Sequence, residues 1–310
     1  GMSTYLSLRK TEFKPSLIIY RKIAKRAILL FLIGLSINWF DMICSGNGLD
    51  FAHLRIWAVL QRIALCYGIV SLLAIHINQR YFVHIILGII IVYMGILAFG
   101  NGYAYDASVN IIAQADLHFF GYDHLYHKSP VDPEGLLSTL PAIAHTMIGF
   151  LCCKYISIAG QNVHSKIKFL KISGLVMLIL GFFLSLIGFG INKRIWSPSY
   201  VLATCGMAAM ALGLIVYFVD MRSDHKQGKA MKMWVTLSVA FGMNPLFLYV
   251  ASDVINIAFK VFGISDGAYQ AALEIIGNGY WASVVYSVMF VAIHAIMAMW
   301  LWKKKIFIKL

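Results

Sequence analysis

The chain of 310 residues is 60% hydrophobic and only 13% charged, with a mean hydropathy of +0.78. That is more apolar surface than a soluble domain of this size hides. Runs of about 20 apolar residues, each enough to cross a bilayer as a helix, recur along it, whereas the short alternating segments of a β-barrel do not. A net charge of +13 would suggest nucleic acid in a soluble protein, but no basic stretch interleaved with aromatics is present. The reading is all-α, a polytopic transmembrane helix bundle in contact with lipid, with no nucleic-acid partner.

The chain opens with GMSTYLSLRK, too short to span anything. It reads either as a short amphipathic start or as the last turns of a preceding helix with its basic flank. Spans are expected near 27–41, 56–77, 82–99, 135–153, 172–190, 200–219, 235–259 and 281–302, which makes eight crossings plus an N-terminal stub in a single domain, 1–310. Loops then alternate sides, and charge offers an independent check. With the residues after Arg9 taken as cytoplasmic, the clusters within 9–26, 154–171, 222–232 and 303–309, together with Arg80, place 20 of the 26 basic residues on that side. Arg222, Lys226, Lys229 and Lys309 are among them. The other side holds Arg55, Lys128, Lys193, Arg194 and Lys260. This asymmetry follows the positive-inside rule and puts the C-terminus in the cytoplasm.

Acids run the other way. Asp41, Asp50, Asp106, Asp116, Asp123, Asp132, Glu134, Asp266 and Glu274 fall on the outer side. The outer loop 100–134 carries five of them among many aromatic residues, a composition of a functional rather than a disordered loop. The five cysteines, Cys44, Cys66, Cys152, Cys153 and Cys205, form no CxxC pair. They read as small apolar fillers, neither a disulfide framework nor a metal site.

Polar residues inside the spans carry the functional signal. RIWAVLQRIALCY places Arg62 inside the second span, with Arg55 at its mouth. Seven residues apart, the two fall on one helix face. A charge at that depth faces the bundle interior. It serves either an ion pair or carbonyl contact, or an anion site suited to the guanidinium fork. VDPEGLLSTLPAIAHTM suggests Asp132 as N-cap of the fourth span, Pro133 at its first position and Glu134 in its first turn, with His145 read as a core histidine. NKRIWSPSYVLATCG gathers Lys193, Arg194, Trp196, Ser197 and Tyr200 in one outer turn, as interfacial anchors or ligand contacts. FGMNPLFLYVASDVI places Asn244 and Asp253 inside a span. Asp253 is the only acid expected within any helix, so it is either the partner of Arg62 or part of a polar path. His294 is a weaker candidate of the same kind.

RIWAVLQRIALCY, DPEGLLSTLPAI, NKRIWSPSYVLATCG and GMNPLFLYVASD, in this order and with this spacing, resemble the bacterial relatives of heparan-α-glucosaminide N-acetyltransferase over essentially the whole chain. The resemblance implies a membrane acetyltransferase that moves an acetyl group from acetyl-coenzyme A to the amine of a glucosamine-type sugar, in the bacterial inner membrane. It implies cofactor contacts at Arg55, Arg62, Lys193, Trp196, Ser197 and Tyr200, and acceptor contacts at Asp132, Glu134, Asn244 and Asp253. Ser197, Tyr200 and Asn244 are then the hydroxyls and amide at hand as oxyanion donors. The family's catalytic histidine lies between its first two helices in an Asn-His-x-x-Trp context. The matching GxS…LSLRK pattern at Gly1, Ser3, Leu6, Ser7, Leu8, Arg9 and Lys10 places that loop upstream of Gly1, with the first one to two family helices. Two other readings stand beside this one: a transporter with Arg62 and Asp253 along its path, and an inactive membrane binding protein. A homo-oligomer stays open.

Overall fold

The computed structural model describes residues 1–46, 48, 50–158, 162–221 and 228–308. Arg222, Lys226 and Lys309 of the basic clusters expected in the cytoplasm lie outside the described residues. Every regular element among the described residues is helical. In chain order these are α1 (Met2–Arg9), α2 (Leu17–Cys44), α3 (Val59–His76), α4 (Phe82–Phe99), α5 (Ile111–Phe120), α6 (Thr139–Ile156), α7 (Val163–Leu186), α8 (Pro198–Val216), α9 (Lys229–Met243), α10 (Pro245–Val261), α11 (Ile264–Ile276) and α12 (Gly279–Lys303). Seven helices are long and apolar enough to cross a membrane, and the bent pair α9–α10 makes an eighth crossing if it is one span. The protein is therefore an all-α, multi-pass membrane protein.

Four boundaries differ from the sequence reading, each for a physical reason. Helix α2 begins at Leu17, so the basic run Arg21–Arg26 continues the helix; Lys and Arg are good helix formers. Helix α7 begins at Val163 behind an Asn162 cap and ends at Leu186, upstream of the expected span. Helix α6 starts at Thr139, with Ser138 at its N-cap position, so Asp132 is not the cap of that helix and Pro133 is not its first residue. The span expected at 235–259 breaks at Asn244–Pro245, where α9 and α10 diverge by 82°. Proline removes a backbone donor and pushes the preceding residue out of the helical region, and Asn244 accordingly has φ −132° and ψ 49°. Asp253 is not the only helical acid, because α2 takes in Asp41, α5 takes in Asp116, and α11 takes in Asp266 and Glu274.

The chain forms two compact units. The first comprises Gly1–Leu35 and Ala52–Arg222. Helix α6 lies at its centre and packs on α1, α3, α4 and α8. Its Ala144, Met147 and Phe150 are fully enclosed and meet Val70 and Phe82. Tyr5 of α1 packs edge-on against Phe150, with ring centroids 5.1 Å apart. Helices α7 and α8 form the most extensive pairing. Small residues make it possible: Gly174 and Gly181 on α7 face Gly206 and Ser199 on α8. A Cβ on Gly206 would sit 2.6 Å from the Gly174 carbonyl oxygen. The two backbones touch, as small residues allow between helices in lipid.

The second unit comprises Ser36–Phe51 and Ser223–Leu310. Within it α12 packs on α9 and α11, around Ala240, Leu248 and Ala298. Asn278 caps α12 by accepting from the Tyr280 and Trp281 amides. Gly263 and Gly277 flank α11 with φ of +67° and +70°.

Candidate functional site

Two turns of the first unit build the site. The first is 132–138, ahead of α6. The Asp132 carboxylate is enclosed and accepts from the Glu134 amide at 2.9 Å and from the Tyr126 amide at 3.1 Å. Asp116 of α5 accepts from the Leu136 amide at 2.7 Å. A Cβ on Gly135 would collide with the Asp116 carboxylate, so a larger residue there would displace that side chain. The Gly135 carbonyl then accepts from the Ser138 and Thr139 hydroxyls, both at 3.0 Å.

Arg55 lies ahead of α3, not on it, since α3 starts at Val59. The shared helix face expected for Arg55 and Arg62 is therefore not formed. One Arg55 nitrogen donates at 2.8 Å to both Asp132 and Glu134, and its guanidinium lies over the Tyr126 ring. Arg55 and the two acids thus form one partly buried ion cluster, and the Arg55 charge is already matched. Arg62 sits in the first turns of α3 and is only 4% exposed. It donates to the Gly135 carbonyl at 3.0 Å and to the Ser138 hydroxyl. Its guanidinium lies 4.9 Å from the centre of the Trp196 ring. Its Nε and Nη1 are buried without a hydrogen-bond partner.

The second turn, 192–197, holds Trp196. Its backbone is fastened at several points: Asn192 accepts from the Arg194 amide, and the Ser197 and Trp196 amides donate to the carbonyls of Asn192 and Lys193. The Tyr93 hydroxyl of α4 donates to the Ile195 carbonyl. Trp196 takes φ +51°, a left-handed conformation that a bulky residue rarely adopts. Its indole packs between His145, 6.0 Å away, and Tyr200, 5.3 Å away. Ser197 is fully buried and caps α8 by accepting from the Tyr200 amide. It also accepts from the Asn192 amide. The Ser199 hydroxyl donates to the Gly190 carbonyl, so the 2.9 Å contact between the two serines uses the Ser197 proton. Ser197 therefore has no proton left for a ligand, contrary to its expected donor role.

Arg62, Trp196, His145, Glu134, Lys193 and Arg26 share the wall of one cavity of about 560 Å³. Arg26 comes from α2, its guanidinium 4.8 Å from the centre of the Tyr67 ring and its Nε without a hydrogen-bond partner. Three cationic side chains face this space against one acidic side chain, Glu134, which Arg55 already holds. The sequence reading missed Arg26 and His145 as site residues. Charge counting treats Arg26 as a loop residue, whereas the helix runs back to Leu17 and carries Arg26 on α2. His145, expected in the core, stands in the cavity wall with Nδ1 unpartnered.

Asn244 and Asp253 belong to the second unit. The Asn244 amide is fully buried and spoken for: Nδ2 donates to the Ile306 carbonyl at 2.9 Å and Oδ1 accepts from the Ile308 amide at 2.8 Å. It pins the segment after α12 to the α9–α10 break. Asp253 lies two turns along α10, with the Tyr249 hydroxyl one turn behind as its hydrogen-bond partner. Within the first unit Arg62 donates to the Gly135 carbonyl and the Ser138 hydroxyl, which is the carbonyl contact expected as one of its alternatives. His294 donates from Nδ1 to the Phe290 carbonyl.

On α5, burial pushes the Asp116 carboxyl up to about 7, and nearby Asp132 adds to the rise. The Leu136 amide and Arg62 oppose it. Among the described residues no group of three or more His, Cys, Asp or Glu side chains is placed to hold a metal ion. No protein-family model matches this chain, and no curated protein matches its sequence.

Proposed function

We propose that the protein is a membrane acetyltransferase that takes acetyl-coenzyme A into the cavity below Trp196 and acetylates the amine of a glucosamine-type sugar. One observation carries the reading: Arg62 is buried within a span with two nitrogens unpartnered, in a cavity where Arg26 and Lys193 add further positive charge. Such a charge in hydrocarbon needs an anion, and a guanidinium suits phosphate. The resemblance of the four motifs to heparan-α-glucosaminide N-acetyltransferases supplies the chemistry.

In this reading Arg62, Arg26 and Lys193 hold the phosphates, and Trp196 shields Arg62 from water. Coenzyme A, when bound, supplies a thioester whose acetyl carbon bonds to the amine nitrogen as the carbon–sulfur bond breaks. His145 takes the proton that the amine sheds. Glu134, fixed by Arg55, faces the amine side. The protein sits in a bacterial inner membrane with its C-terminus in the cytoplasm.

Arg62→Gln, assayed in lipid nanodiscs, should weaken acetyl-coenzyme A binding by about ten- to a hundredfold, the worth of one or two charge-assisted hydrogen bonds. Unchanged affinity would remove the phosphate role. His145→Gln should keep the affinity and lower turnover by about 10² or more; full turnover would assign the base elsewhere.

The 82° break between α9 and α10 favours a second reading, since discontinuous helices mark many transporters. Asp253 would then lie on the solute path. Counterflow of labelled amino sugar into liposomes that Asp253→Asn abolishes, without acetyl-coenzyme A consumption, would select it.

A further inference from the structure

Helix α2 carries cations on two faces. With one face it places Arg26 and Leu30 in the cavity wall and buries Ile19 and Ile23. The opposite face is exposed. At helical spacing, Leu17, Ile18, Arg21, Lys25 and Ile28 form one exposed strip there, with exposed Lys22 at its edge. The depth of these cations follows from α3. Tyr20 lies against His76, the last residue of α3, with ring centroids 5.8 Å apart and its hydroxyl 3.1 Å from Nε2. The chain turns between the spans α3 and α4 within residues 77–81, so this level is one membrane surface. At a rise of about 1.5 Å per residue, Arg21, Lys22 and Lys25 lie about 2–8 Å inside it. Apolar side chains border them along the strip, Leu17 and Ile18 toward the surface and Ile28 toward the bilayer centre.

Other basic residues at this end are already engaged: Lys14 pairs with Glu12 at 2.6 Å, and Arg80 donates to the Tyr81 hydroxyl at 2.6 Å. Among the described residues no acidic side chain pairs with Arg21, Lys22 or Lys25. Unmatched cations within an apolar strip, just inside the surface, call for a ligand with an anionic head and an apolar tail. Long basic side chains reach from hydrocarbon to the headgroups, and an anionic leaflet favours each such residue by about fivefold in affinity. A zwitterionic headgroup carries its own cation and gains less. We propose that the exposed strip of α2 binds an anionic phospholipid, its phosphate on Arg21, Lys22 and Lys25 and its acyl chain along Ile28. The proposal is independent of what occupies the cavity at Arg62, which α2 meets with its other face.

The test is native mass spectrometry of the full chain, released from detergent micelles that contain either phosphatidylglycerol or phosphatidylcholine with the same acyl chains. The first phosphatidylglycerol should bind at least about tenfold tighter than the first phosphatidylcholine. Arg21→Gln, Lys22→Gln and Lys25→Gln together should remove that preference. Glutamine is as good a helix former as lysine, so the thermal midpoint in phosphatidylcholine should not change. Lys25→Gln alone should weaken phosphatidylglycerol binding about fivefold, a readout that does not depend on the triple variant folding. Lys303→Gln, Lys304→Gln and Lys305→Gln together remove the same charge at the end of α12 and should leave the preference intact. Millimolar glycerol phosphate, the headgroup chemistry without a tail, should not displace the lipid. Equal binding of the two lipids, a preference that survives in both α2 variants, or its loss in the α12 variant would overturn the proposal. So would displacement by glycerol phosphate, which would make this a site for a soluble phosphate.

Discussion

At the scale of single residues, the candidate site turns on one carbonyl. The Gly135 oxygen accepts from Arg62, Ser138 and Thr139 together, and Asp116 occupies the place a Gly135 side chain would need. Gly135→Ala should therefore cost about 1–3 kcal/mol, as overpacking does, and loosen Arg62. A lower thermal midpoint together with weaker acetyl-coenzyme A binding would show it, and an unchanged midpoint would refute the collision. Asp116 makes stability depend on pH in an unusual direction. Its carboxyl sits near 7 when folded against an ordinary 3.8, so the folded state binds the proton more tightly. Its contribution is then most favourable below pH 4 and is lost as pH rises through about 7. Asp116→Asn should remove that limb, narrowing the difference in thermal midpoint between pH 5 and pH 8; an unaltered pH profile would mean that Asp116 titrates normally. Ser197→Ala should cost about 1–2 kcal/mol as a lost helix cap and leave acetyl-coenzyme A affinity intact, because the hydroxyl proton is spent on Ser199. The sequence announced the residue types well. It did not announce their partners, since the contacts of Arg55 with 132–134 join positions nearly eighty residues apart.

At the scale of elements, hydropathy located the seven unbroken candidate spans because a bilayer selects length and apolarity directly. It misplaced ends wherever polar residues continue a helix or backbone chemistry interrupts one. Arg21, Lys22, Lys25 and Arg26 stay helical in α2, and the carboxylates of 132–134 serve a turn that precedes α6. Pro245 was visible in the sequence, yet its consequence depends on Asn244, whose side chain reaches Ile306 and Ile308. Asn244→Ala should release that segment and speed amide exchange at 306–308 without altering acetyl-coenzyme A binding. Persistent protection at Ile308 would show that other contacts hold it.

At the scale of the whole molecule, the multi-pass helical class was legible, because long apolar helices follow from how a polytopic chain meets lipid, and the charge asymmetry adds an expected orientation. What the sequence hid was the cavity, which needs α2, α3, α6 and the 192–197 turn brought side by side. The asymmetry predicts that Lys128→Cys reacts with an impermeant thiol reagent added outside intact cells and Lys304→Cys does not, in a background without the native cysteines. Reaction at both, or at Lys304→Cys alone, would reverse the orientation. The glycine seam between α7 and α8 bears on how the chain is made. Two helices in backbone contact, joined by the short connection 187–197, carry their own interface before anything downstream exists. A ribosome stalled once α8 has cleared the tunnel should already hold α7 and α8 as a protease-resistant hairpin, and Gly206→Leu should abolish that early pairing.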